Sequence, residues 1–168
     1  MLRVALARIS KFNEWLEKAV YLLAIFIVAN MVLALFLSAL VRYLSGTGYD
    51  WFIELPPVLV SWLVFPLLGP LLKDSQHIQV DFLSSFLKAK NIQLVRLVSH
   101  FVAFLASIIF MKAGYDATLL YYNMGQMLEI ELEVPLWWMY LAFPVGFFVL
   151  GLFSLELIYN QAIEITKK

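Results

Sequence analysis

Four long apolar runs, with ionised side chains held to their ends, constrain this chain more than any other feature. The first runs from Ala19 to Val41, interrupted only by Asn30 and Ser38 and closed by Lys18 and Arg42. The second, Leu55 to Leu72, lies between Glu54 and Lys73. The third starts near Leu94, reaches Met111 to Tyr115, and carries Arg96, Ser99, His100 and Ser107. The fourth extends from Val134 to Tyr159 and holds one acid, Glu156, near its far end. A helix needs roughly 20 apolar residues to cross a hydrocarbon core of about 30 Å. The expectation is therefore an all-α membrane protein, one four-helix domain over residues 1–168, with spans at 19–43, 53–72, 94–115 and 134–159. Charged residues make up 14% of the chain, against about a quarter in soluble domains. That balance excludes a disordered chain and a broad basic face for nucleic acid. The absence of cysteine excludes disulfides, thiol redox chemistry and Cys-ligated metals.

Basic residues set the expected orientation. Arg3, Arg8, Lys11 and Lys18 precede the first span; Lys73, Lys88, Lys90 and Arg96 lie around the second loop; Lys167 and Lys168 follow the fourth span. The other two loops hold only Arg42 and Lys112 and are otherwise acidic, with Asp50, Glu54, Asp116, Glu129, Glu131 and Glu133. The positive-inside rule then puts both termini in the cytoplasm, with Trp51, Tyr121, Tyr122, Trp137, Trp138 and Tyr140 near the outer boundary. The first span reads as retained, since its run is long and no small-residue cleavage site follows it. Two further segments are amphipathic at helical spacing, 1–17 and 80–90, and suit interfacial helices resting at headgroup level.

Local features add detail. Pro56 and Pro57 fit a first helical turn, whereas Pro66 and Pro70 should kink the second span. Asn30 is placed to hydrogen-bond a neighbouring helix. Gly146 and Gly151 would admit a close helix, although their spacing of five is not the four of G-x-x-x-G. Arg42 is a candidate partner for Glu54 or Asp50 across the short loop, and Lys112 for Asp116 one turn on.

The chemistry is sparse. No Asp, Glu, Lys or Arg stands near the middle of a span, which argues against a self-sufficient proton-coupled carrier. H-E-x-x-H, carboxylate–histidine helix motifs and G-x-S-x-G are missing, so no metal, cofactor or catalytic residue is expected and the chain does not read as an enzyme. One alternative remains in the residues themselves. His77 and His100, from different elements, would suit a haem held by the membrane anchor of a respiratory enzyme. A third reading, a small oligomeric pore, rests only on four spans and a bent second one.

One stretch is more specific. Arg42 is followed by Asp50-Trp51-Phe52-Ile53-Glu54-Leu55, then Trp62, Gly69, and Lys73-Asp74-Ser75-Gln76-His77-Ile78-Gln79-Val80-Asp81-Phe82-Leu83. This pattern resembles the DctQ-type small membrane subunit of TRAP (tripartite ATP-independent periplasmic) transporters. Arg42, Trp51, Glu54, Leu55, Trp62, His77, Ile78, Val80 and Asp81 carry the likeness, along with the four-span layout and Pro144 in the fourth span. Ile53 departs from it, standing where a first Glu is usual, as does Lys73, which replaces an Arg.

The resemblance implies a non-catalytic subunit of the bacterial inner membrane. It would brace a larger multi-span subunit that binds substrate and sodium, with a periplasmic binding protein delivering an organic anion. Arg42, Trp51, Glu54, Trp62, His77 and Asp81 are the structural or interface candidates. On local grounds, Asp81 suits the N-cap of the segment it opens and His77 the turn before it.

Overall fold

A computed structural model describes residues 2–48, 51–74, 89–128 and 133–166. They form five helices: α1 Leu2–Ser45, α2 Trp51–Lys73, α3 Ala89–Met124, the short α4 Leu136–Tyr140, and α5 Ala142–Thr166. Four stretches are long and apolar enough to cross a membrane, Ser10–Ser45, Phe52–Lys73, Gln93–Met124 and Leu136–Ile163, the last made of α4 and α5 together. The all-α membrane fold expected from the apolar runs is the one observed.

The helices stand in a row. α1 packs on α2, α2 on α5 and α5 on α3, while α1 meets α5 only over a short stretch. α3 shares no comparable seam with α1 or α2 among the described residues. The last helix of the chain is thus an inner member of the row, and α1 and α3 are its two ends.

Sequence explains each seam. Along α1 the buried positions Asn13, Val20, Ile27 and Ala34 recur every seven residues, with Ala24 and Ser38 on the adjoining line. A strict seven-residue repeat is the narrow seam of a left-handed helix pair. It continues below residue 18 without a Gly or Pro to stop it. The amphipathic segment 1–17 is therefore not set off from the span: the two are one helix of 44 residues, about 66 Å at 1.5 Å per residue.

Small residues let the inner helices approach. A Cβ at Gly69 would sit 2.8 Å from Phe153 and Val149 side chains, and one at Gly114 2.9 Å from Phe143. Such positions bring backbones close where lipid supplies no hydrophobic drive for helix pairing. Gly46 and Gly125, with φ of 73° and 62°, end α1 and α3 in the left-handed region. Their N–H groups bond back to the carbonyls of Arg42 and Tyr122, closing the last turns.

Several boundaries differ from expectation. α2 starts at Trp51, so Pro56 and Pro57 lie inside it rather than in its first turn. α3 continues to Met124, beyond the apolar run. The fourth span is interrupted at Leu141, between α4 and α5. Pro144 lacks the N–H that would bond the Tyr140 carbonyl, which accounts for a break there. The segment 80–90, expected as an interfacial helix, lies outside the described residues except for its last two positions, which open α3.

Candidate functional site

Polar side chains gather at one end of the row. Asn13, Glu17 and Tyr21 follow one another at intervals of four, so they stack along one side of α1. Each reaches a different residue. The Asn13 amide Nδ2 donates to Glu156 Oε2 on α5 at 2.6 Å and, more weakly, to the Leu152 carbonyl at 3.4 Å. Glu17 accepts from Lys73 Nζ at 2.5 Å, at the end of α2. The Tyr21 hydroxyl donates to Asp74 Oδ2 at 2.5 Å. Lys73 also stands over the Phe153 ring, 5.9 Å from its centroid.

These contacts staple three helices together. Asn13 has no exposed surface and Glu156 is 9% exposed, so their bond is made away from water. A buried donor–acceptor pair of this kind is worth more when broken than when formed, because the survivor is left desolvated. The Lys73 and Glu17 side chains retain 30% and 22% of their surface. Their pair therefore counts for about 0–1 kcal/mol after screening. Asn13 Oδ1 is buried with no hydrogen-bond partner.

Aromatic side chains gather further along the row. Trp62 Nε1 on α2 donates to the Trp138 carbonyl at 3.1 Å, and the two rings lie 5.4 Å apart. Tyr121 of α3 stacks on Tyr140 at 4.3 Å, and Tyr122 meets Trp137 edge-on at 5.7 Å. Deeper, Phe65 packs on Phe143 at 3.9 Å and Phe110 on Phe147 at 5.1 Å. Aromatic pairs in these geometries add roughly 0.5–1.5 kcal/mol each beyond area burial.

The residues singled out from sequence are dispersed. Arg42 is exposed near the end of α1, and its guanidinium lies against Gly48, where a Cβ would come within 3.2 Å of Nε. Trp51 opens α2 and Glu54 is half-buried in its first turn. Trp62 joins the aromatic cluster, through Trp138. His77 and Asp81, and with them the capping turn and the haem pairing, lie outside the described residues. His100 is half-buried on α3, its Nδ1 buried without a hydrogen-bond partner. Among the described residues Asn30 makes no bond to a neighbouring helix; its amide donates to the Phe26 carbonyl of its own helix at 2.7 Å. No group of three or more His, Asp or Glu side chains placed to hold a metal ion occurs among the described residues.

Sequence reading missed Asn13 and gave Lys73 and Glu156 no role. The available signal was the spacing of Asn13, Glu17 and Tyr21. It places three polar groups on one side of a helix that is otherwise becoming apolar.

The fold and its two clusters define a multi-pass helical membrane protein whose polar side chains are engaged in holding helices together. Residues 31–164 match the family model of the tripartite ATP-independent periplasmic transporters, DctQ component, and the chain belongs to that family. It is thus a small membrane subunit type of these transporters, as the pattern from Arg42 to Asp81 implied. No curated protein and no solved structure matches the chain. Asn13, Glu17 and Tyr21 precede the matched stretch, whereas Lys73, Asp74 and Glu156 fall inside it.

Proposed function

We propose that this chain is a non-catalytic brace for the larger, substrate- and sodium-binding membrane subunit of a TRAP-type secondary transporter. The transporter takes up an organic anion delivered by a periplasmic binding protein. The chain sits in the bacterial inner membrane with both termini in the cytoplasm, in keeping with the distribution of its Lys and Arg residues.

One observation carries this reading. The row offers long apolar stretches on the outer faces of α1 and α3, from Ala19 to Val41 and from Leu97 to Met111, with no Asp, Glu, Lys or Arg inside either. Ion and proton paths use intramembrane charge or unwound backbone lining a cavity. Apolar length without that machinery suits a part that supports another protein and surrounding lipid.

The test is co-expression with the large membrane subunit of the same transporter. A stable complex should survive mild detergent, and uptake into proteoliposomes should need both membrane subunits and the binding protein. Uptake by this chain alone would overturn the proposal, as would failure to recover any complex.

A further inference from the structure

α1 carries two seven-residue seams, and the chain uses one of them. The unused seam has Phe26, Leu33 and Leu40 on one line and Leu23, Leu37 and Leu44 on the other, with Asn30 taking one place in the second line. Phe26 and Leu44 are 66% and 72% exposed, and none of the seven is buried in the chain. By helical geometry this seam lies about 100° around α1 from the one that faces α2.

Asn30 distinguishes it from an ordinary lipid-facing stripe. It stands 13 residues beyond Glu17 and 12 before Arg42, about 20 Å and 18 Å along the helix. That is the middle of the span. Its one hydrogen bond goes to the Phe26 carbonyl of its own helix. The amide oxygen receives no bond from another element among the described residues. Lipid tails offer no donor, and an unmet amide in hydrocarbon is costly. The opposite end of the row differs: from Phe101 to Phe110 the exposed side chains of α3 are Phe101, Val102, Leu105, Ile108, Ile109 and Phe110, all apolar, with Lys112 following two residues on.

We propose that this second seam of α1 is the docking face for a transmembrane helix of the large subunit. That helix would carry an apolar stripe with a hydrogen-bonding side chain opposite Asn30. A single Asn within an otherwise apolar seven-residue seam fixes the register of a helix pair. Across a membrane interface it does so by an interhelical hydrogen bond. The proposal rests on the brace reading above and adds which end of the row meets the partner.

Photo-crosslinking in membranes holding the whole transporter tests it. A photoreactive residue replaces Leu23, Leu33 or Leu37 on the seam, or Val28 or Val32 on the far side of α1. The seam positions should crosslink to the large subunit several-fold more than Val28 and Val32. Asn30→Leu should lower recovery of the complex about threefold, since such bonds are individually modest, and Asn30→Gln should restore part of it. Equal yields from both faces, or adducts only to lipid or to a second copy of this chain, would overturn the docking face while a recovered complex keeps the brace reading. If no complex is recovered from unaltered protein, both fail.

Discussion

The two sides of α5 are each built around a glycine, yet they differ in what the glycine meets. Gly146 faces α2, where an added methyl would collide with the Phe65 backbone carbonyl and Cβ. Gly151 faces α3, where the same methyl would come 2.9 Å from the Ser107 hydroxyl. A backbone cannot step aside without moving its helix, whereas a hydroxyl can rotate. The α2 side is thus a rigid seam. The α3 side has some give at this depth, although a methyl added at Gly114 would come within 3.1 Å of the Pro144 backbone nitrogen.

Stability measurements in detergent should rank these sides. Gly146→Ala should have the largest effect, about 1–3 kcal/mol or more, because overpacking against backbone forces the helices apart. An unchanged unfolding midpoint would show that the α2 seam is as yielding as the other. Asn13→Leu should follow at about 1–3 kcal/mol, leaving the Glu156 carboxyl buried without its donor. Its partner Glu156 stands ten residues beyond Gly146 on α5, about 15 Å along the helix, so the two costs should add; strong coupling would mean the seam and the staple form one unit.

Trp62→Phe keeps a ring beside Trp138 and removes only the N–H to its carbonyl. A loss of about 0.5–1.5 kcal/mol is expected. No loss would assign that contact to stacking alone. Smallest should be Gly151→Ala, about 0.5 kcal/mol or less if Ser107 turns away. A double-mutant cycle with Ser107→Ala then isolates the hydroxyl, and a residual cost in the double variant would mean that backbones, not side chains, set the distance there too.

The sequence displayed the spans plainly, because apolar length is a local property read from consecutive residues. The order of helices was hidden. Gly146 and Gly151 read as a weak signal because they are five apart, and the structure explains that spacing. Five residues turn a helix by about 140°, so each glycine admits a different neighbour, as an inner member of a row requires.

The polar end was hidden for another reason. Asn13 and Glu156 lie at opposite ends of the chain, and nothing local to either one points to the other. Arg42, Trp51 and Glu54 were visible as parts of a family pattern, but a pattern records which residues recur and not what they touch. Asn30 was legible as a polar residue out of place; its recourse to Phe26 was not, because no described residue of another helix offers it a bond.

The placement of α5 between α2 and α3 also bears on how the protein is made. Chains are synthesised from the N-terminus, so α1 and α2 can pair as soon as they emerge. α3 enters the bilayer next, before the helix that is its main neighbour exists. It must wait in lipid until α5 arrives and takes its place beside α2 on one side and α3 on the other. Assembly of the row is therefore the last event in its biogenesis. A ribosome stalled before Ala142 should leave a stable α1–α2 hairpin and an α3 still free to diffuse within the reach of its loop.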